Sequence, residues 1–384
     1  MKNNRTFLEK LLDGAEVEWK TLDEIFHLKN GYTPSKGVKE YWENGSIPWF
    51  RMEDIRENGR ILNTALQKVS ESAVKGGKLF PANSIIIATS ATIGEHALIT
   101  IPFLANQRFT VLSLKPEYID KFNIYFLYHY CFTLDDWCQK NTTMSSFASV
   151  DMNGFRRFPI PIPPLPIQTK IVKILDALTA LTSELTSELI LRRKQYEYYR
   201  EKLLSFDSLE RLNEGGGKKK LIDVCINIFS GKNKERNDSG LYPIYGSTGI
   251  IGKTNKKEFS NEQILVARVG ANAGYVHIAQ GEYDVSDNTL IIQHNKNIDL
   301  KFLYHTLVNM KLNQYAKGAG QPLITAGQLK LMEINVPPLE EQQRIVLILD
   351  KFETLTNSIT EGLPLAIEQS QKRYEYYREL LLNF

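Results

Sequence analysis

Cysteine is scarce in this chain of 384 residues: Cys131, Cys138 and Cys225, with no C-x-x-C pair among them. That argues against a disulfide framework or a cysteine zinc site and suits a reducing cytoplasm. No apolar run approaches the roughly 20 residues that a membrane helix needs. The first apolar cluster, Phe7, Leu8, Leu11 and Leu12, is broken by Glu9, Lys10 and Asp13, so it cannot serve as the core of a secretory signal. An excess of one charge is missing too. The formal net charge is +3, so a nucleic-acid partner cannot be read from it and any basic surface must be local.

Motifs for chemistry are also lacking. GSTGIIGKT (246–254) resembles a phosphate loop, but Ser247 stands where the motif requires glycine. NVPPL (335–339) interrupts a methyltransferase-type Asn-Pro-Pro with Val336 and lacks the aromatic residue. GANAG (270–274) is no dinucleotide fingerprint. His129 and His305 lie in matching FLYH segments. No partnered carboxylate is seen to repeat beside them, so both read as structural. No acidic cluster is spaced for a nuclease metal. A stand-alone methyltransferase or nuclease therefore finds no support, and neither a catalytic residue, a metal ligand nor a cofactor is assigned.

What the chain does have is a repeat. YEYYREKLLSF (196–206) returns as YEYYRELLLNF (374–384), and PPLPIQTKIVKILDAL (163–178) as PPLEEQQRIVLILDKF (337–352). Gln168 matches Gln342, and the Ile-Leu-Asp triplets align; the second copy carries four extra residues before its tyrosines. Fainter echoes link SIIIATSATIG (84–94) with QILVARVGANAG (263–274), and LEKLLDG (8–14) with LERLNEG (209–215). Two tandem units follow, each with a variable front and a well-matched back. Such a frame with two loop sets suits two binding modules that read different things.

The backs read as helices opened by Pro-Pro. Ile171, Ile174, Leu175, Leu178, Leu181, Leu185 and Leu189 make a heptad-like seam, as do Ile345, Ile348, Leu349, Phe352, Leu355 and Ile359. The first helix should run about 40 residues, roughly 60 Å. The four extra residues should act as a stutter that keeps the seam in phase, and Gly362 with Pro364 should kink or break the second helix. The tyrosines read as packing residues. The fronts are turn-rich with short strands and read as mixed α/β domains whose loops carry function. Between 215 and 258 stand nine Lys or Arg against four acids. That stretch fits a solvated loop and phosphate contact equally well.

GYTPSK (31–36), YWENGSIPWFRMEDI (41–55), SATIG (90–94) and the P-I-P-P-L helix ending in YEYYREKLLSF, together with FSGKNK (229–234), YPIYGSTGIIG (242–252) and VARVGANAG (266–274), resemble the specificity subunits of type I restriction–modification systems. The likeness spans essentially the whole chain. It implies two α/β target recognition domains (1–160 and 209–335) separated by two long helices (161–208 and 336–384) that pack as an antiparallel coiled coil. It also implies a non-catalytic subunit that recognises a bipartite asymmetric site in double-stranded DNA, the helices setting the spacer. Two methyltransferase subunits, which carry S-adenosylmethionine, and two endonuclease/translocase subunits would be its partners, with a cytoplasmic location and no membrane. The repeat order further places the C-terminus beside the LEKLLDG segment.

Base readout needs donors and acceptors on supported loops. By position in the repeat the candidates are Thr33, Ser35, Lys36, Arg51, Thr89, Ser90, Thr92, Arg108, Thr142 and Ser145 in the first front. In the second they are Lys232, Lys234, Arg236, Ser247, Arg268, Asn272 and Gln321. A helical adaptor without DNA function is the alternative; two loop-rich fronts of unlike sequence weigh against it.

Overall fold

A computed structural model describes residues 7–143, 148–212, 217–234, 239–318 and 320–384. It divides into two compact units, Met1–Ser183 with Gln369–Phe384, and Glu184–Glu368. Each is a mixed α/β domain completed by a pair of helical segments.

The first unit is built on a five-stranded sheet ordered Phe26–Asn30, Phe109–Leu114, Ser84–Ala88, His96–Ile99 and Ile61–Leu62. Its central strand, SIIIA, is buried along its whole length, as a near-continuous β-branched run demands when both faces are covered. A small side sheet places Ile47–Phe50 between Lys68–Val69 and Leu104–Ala105. The second unit repeats this plan. Its main sheet runs Cys225–Ser230, Thr289–His294, Gln263–Ala267 and Val276–Ala279. Its side sheet places Tyr242–Gly246 between Gly249–Thr254 and Asp284–Val285. In each side sheet one neighbour of the middle strand pairs antiparallel and the other parallel. The connection after the middle strand of the side sheet differs between the units. The first inserts the helix Met52–Asn58 and the strand Ile61–Leu62 where the second has a tight turn at 247–248.

The repeated FLYH segments lie on the helices Ile124–Lys140 and Leu300–Asn309, as their apolar spacing predicts. The helix Leu165–Leu203 is a single 39-residue run. Its Pro-Pro entrance is held by the repeated glutamine. Gln168 accepts from the Asn123 N–H at 2.8 Å and donates to the Lys121 and Pro163 carbonyls. Gln342 accepts from the Asp299 N–H at 2.8 Å and donates to the Asn297 and Pro337 carbonyls. Both glutamines are buried, so every polar atom of each amide needs such a partner.

Within each unit the two helical segments run antiparallel. In the first, Asp176 and Tyr374 both reach His129, and further along the Thr182 and Ser370 hydroxyls meet at 2.8 Å. In the second, Tyr196 and Tyr199 stack on Phe352, and Arg193 donates to the Thr356 carbonyl. Leu381 and Leu382 are buried in the same cluster against which Leu11, Leu12 and Phe384 pack, so the C-terminal helix and the LEKLLDG segment share one core.

Three expectations need correction. The four extra residues of the second back do not form a stutter. A stutter would leave one continuous helix, whereas Leu339–Asn357 stops and Leu363–Leu382 starts anew. At the join Gly362 has φ +85, and a Cβ there would lie 2.6 Å from the Thr354 carbonyl oxygen. Leu181 is exposed rather than in the seam; the half-buried line passes through Leu178, Thr182, Leu185 and Leu189. Finally, the two histidines do have repeating carboxylates. His129 Nε2 lies 3.0 Å from Asp176 and His305 Nε2 lies 2.9 Å from Asp350. These are the aspartates of the two Ile-Leu-Asp triplets, hidden from a local search because they come from another helix.

Candidate nucleic-acid interface

In each unit the first main-sheet strand ends on a glycine pressed against the turn that joins the side sheet to the main sheet. A Cβ on Gly31 would collide with the Ala105 and Asn106 carbonyl oxygens. A Cβ on Gly231 would collide with those of Val285 and Ser286. Only glycine lets the backbones approach this closely. The contact carries the loop after each glycine over a polar hollow.

The first hollow, about 550 Å³, gathers Thr33, Lys36, Arg51 and Arg108 with Trp42, Trp49, Gln67, Asn106 and Gln107. The Arg51 guanidinium lies 5.5 Å above the Trp49 ring and 3.9 Å from Glu53. Ser35 is exposed on the same loop, its carbonyl accepting the Trp42 indole N–H at 3.0 Å. Thr89 adjoins this group. Its N–H donates to the Arg108 carbonyl, and its hydroxyl meets that of Thr110 at 3.0 Å. Ser90 bridges to Ser149 in the hairpin that also exposes Thr142. The Thr92 hydroxyl oxygen is buried, facing away from this surface's solvent. Ser145 lies outside the described residues.

The second hollow, about 510 Å³, gathers Lys232 and Lys234 with Asn233, Lys256, Glu258 and Asp284. Asn233 donates to the Asp284 carboxylate at 2.7 Å. Glu258 lies 3.0 Å from Lys256 and holds that ammonium more basic than usual, by hydrogen bond first and charge second. Ser247 sits in the turn between Tyr242–Gly246 and Gly249–Thr254. Arg268 is half-buried and donates to the Ser230 hydroxyl at 3.4 Å. Asn272 and Gln321 are exposed, on loops joined where the Gly270 N–H donates to the Pro322 carbonyl. Arg236 lies outside the described residues.

The structure thus brings Thr33, Lys36, Arg51 and Arg108 together, and Lys232 with Lys234. Sequence reasoning missed Asn106, Gln107, Asn233 and the turn Asp287–Asn288. The signal was present. Aligning Gly31 with Gly231 and then the strands that clamp them sets ANQRF (105–109) opposite VSDNT (285–289).

Nucleophiles are subdued. Burial pushes the Cys138 and Cys225 thiols up to about 12 and that of Cys131 well above its usual value. His305, Asp350 and Glu353 are the group compact enough for an ion among the described residues. Their acceptors already take hydrogen bonds, from Lys301 to Asp350 at 2.5 Å and from the Tyr304 hydroxyl to Glu353 at 2.9 Å. Burial pushes the Asp350 carboxyl up, but the bonds from Lys301 and His305 outweigh it and hold it below the usual range.

Comparison with known proteins agrees with a duplicated DNA-reading frame. The family model for the type I restriction modification DNA specificity domain matches twice, over residues 15–192 and 213–369. The chain is 52% identical to the type I restriction enzyme EcoprrI specificity subunit of Escherichia coli, over 93% of this chain and 92% of that one. It is 41% identical to a putative type I restriction enzyme specificity subunit of Haemophilus influenzae, over the full length of both. Among solved structures, the type I restriction–modification S subunit of M. genitalium shares the fold, with a TM-score of 0.56 over 96% of each chain at 17% identity. No helix among the described residues is long and apolar enough to cross a membrane.

Proposed function

The chain belongs to the family of type I restriction–modification specificity subunits, which target DNA and do not catalyse, and on that premise we propose that its two units read the two halves of a bipartite, asymmetric site in double-stranded DNA. The observation that carries this reading is the pair of hollows. Each lies beside the clamped glycine of its own copy of the frame, the first against the tip 106–109 and the second against 254–259, and the two present different side chains. A common frame with different tips is what two unlike half-sites require.

In this reading residues 1–160 and 209–335 are the target recognition domains, and residues 161–208 and 336–384 are the helical regions that set the gap between half-sites. The DNA contacts come from Thr33, Ser35, Lys36, Arg51, Thr89, Ser90, Arg108, Thr142 and Ser145 in one domain. In the other they come from Lys232, Lys234, Arg236, Ser247, Arg268, Asn272 and Gln321. The lysines neutralise phosphates and fix register, while amides, hydroxyls and bidentate guanidinium groups address base edges. Thr92 belongs to the same proposed set, its hydroxyl oxygen being buried in this structure. Two methyltransferase subunits and two endonuclease/translocase subunits dock on the complex and act at the site it selects.

The test is to co-express the chain with its cognate methyltransferase subunit and map N6-methyladenine across the host DNA. Two short defined segments around a fixed undefined gap support the reading. A continuous motif, or no methylation from a properly assembled complex, refutes it and leaves the helical adaptor.

A further inference from the structure

The turn that each clamped glycine supports has the same backbone scheme in both units. In the first, Gly31 N–H donates to Phe109, Tyr32 to Ala105, Asn106 to Phe50, Phe109 to Asn106 and Thr89 to Arg108. In the second, Gly231 donates to Thr289, Lys232 to Val285, Ser286 to Tyr245, Thr289 to Ser286 and Arg268 to Asn288. Even the side-chain brace recurs. Asn106 Oδ1 accepts the Arg108 N–H at 3.0 Å, and Ser286 Oγ accepts the Asn288 N–H at 3.3 Å. Five backbone bonds and one brace therefore fix a two-residue tip, Gln107–Arg108 in one unit and Asp287–Asn288 in the other.

The tips also divide their work alike. Their first residue is tied to its own unit, Gln107 by the Thr33 hydroxyl and Asp287 by Lys234 at 4.0 Å. Their second residue, Arg108 or Asn288, is exposed, and its side chain meets no partner among the described residues. A free polar group on so rigid a mount loses little freedom when it binds, which favours recognition of a defined edge.

Resting on the reading that each unit addresses DNA, we propose that these second tip residues are specificity determinants. Arg108 takes the O6 and N7 acceptors of a guanine in one half-site. Asn288 takes the N6 donor and N7 acceptor of an adenine in the other. The geometry of guanidinium and carboxamide dictates these two bases, since each can form a bidentate pair with that edge in the major groove.

The experiment uses the full chain with its methyltransferase subunit, by methylation mapping and by titration of duplexes that differ from the wild-type site at single positions. The wild-type map comes first, because failure to find a split motif there sinks the proposed function itself. With that motif in hand, Arg108→Ala is expected to make one guanine position degenerate in one half, with discrimination there falling about 5- to 150-fold. The other half stays unchanged. Asn288→Ala is expected to do the same at one adenine in the opposite half. Uniform weakening across all duplexes, with the motif intact and a shallower salt dependence, would mark a phosphate contact and overturn the inference. Degeneracy at any other base overturns it equally. Should Arg108→Ala abolish methylation, Arg108→Gln decides, since a carboxamide suits the adenine edge and not that of guanine. Recovery with one guanine degenerate or exchanged for adenine supports the proposal, whereas recovery of the full motif, or no binding to any duplex, rejects it.

Discussion

The Tyr374 hydroxyl lies 3.3 Å from Nδ1 of His129, although 245 residues separate the two in the chain. Asp176 takes the other ring nitrogen at 3.0 Å, so Nε2 carries the proton and Nδ1 accepts from the tyrosine. The second unit builds the same triad from Tyr196, His305 and Asp350. Each tyrosine phrase therefore serves the histidine of the other repeat. This is why the phrase occurs twice: each unit is finished by a helix end that belongs, by sequence, to its sibling.

The triad predicts a coupling. His129 is almost fully buried while Asp176 is half exposed, so Asp176→Ala removes the acceptor of its Nε2–H at a place water can reach and should cost ~0.5–1.5 kcal/mol. Tyr374→Phe should cost ~0.5–1.5 kcal/mol. In a double-mutant cycle the pair should deviate from additivity, while Tyr374→Phe with Asp350→Ala should add. Urea unfolding of the purified complex measures both. Additivity in the first cycle would show that the three groups act separately.

The glycine clamps predict a second effect. Gly31→Ala and Gly231→Ala each force a Cβ into backbone carbonyl oxygens, which have no rotamer by which to retreat. Each should destabilise by at least the ~1–3 kcal/mol typical of overpacking and displace the tip that its glycine supports. Hydrogen exchange should show lost protection at 105–110 for Gly31→Ala and at 285–290 for Gly231→Ala. Unchanged protection at those segments would mean that the turns are held without the clamp.

Much of this is legible in the sequence, and the reasons are physical. The helix Leu165–Leu203 announces itself through Pro-Pro and a heptad spacing, both local signals. The break at Gly362 follows from two residues that resist helix. The strand SIIIA stands out as an apolar run leading into a small-residue loop. The His–Asp pairs do not show, because a side chain's partner across two helices leaves no spacing rule in either one. The tip residues Gln107 and Asp287 do not show in either repeat alone, and only aligning the repeats on Gly31 and Gly231 sets them opposite one another. Their mount is made of backbone hydrogen bonds, which any sequence can supply and none advertises. The loop that holds Thr92 is readable; which way a hydroxyl faces within a loop has no sequence signal.

His277 predicts a pH dependence. It is half-buried, with both ring nitrogens shielded from solvent, ringed by Tyr245 and Tyr275, and neither nitrogen is bonded among the described residues. Burial lowers its pKa from 6.5 to about 4. The unfolded chain therefore binds a proton that the folded chain refuses between those values. Stability from this group is complete above pH 6.5 and drains away as pH falls toward 4, by about 3 kcal/mol in all. His277→Phe keeps a ring between the tyrosines and should flatten that part of the stability–pH curve, read from urea midpoints between about pH 7 and 4.5. An unchanged slope would assign the acid sensitivity elsewhere.

The last prediction concerns the gap between half-sites. The long helix carries TSEL at 182–185 and again at 186–189, where its seam is only half-buried and an added turn meets little packing. Duplicating Thr186–Leu189 adds four residues, about 6 Å of helix at 1.5 Å per residue, and about 400° of rotation, so the seam returns nearly to phase. With DNA rising about 3.4 Å per base pair, the gap in the methylated motif should widen by one or two base pairs, with both defined halves intact. Inserting only two residues turns the seam through about 200°, which sets its apolar side toward solvent. That variant should lose stability and methylate poorly. If the four-residue variant methylates the wild-type spacing, the helix does not set the gap. If it changes a defined half instead, readout and spacing are not separable in this protein.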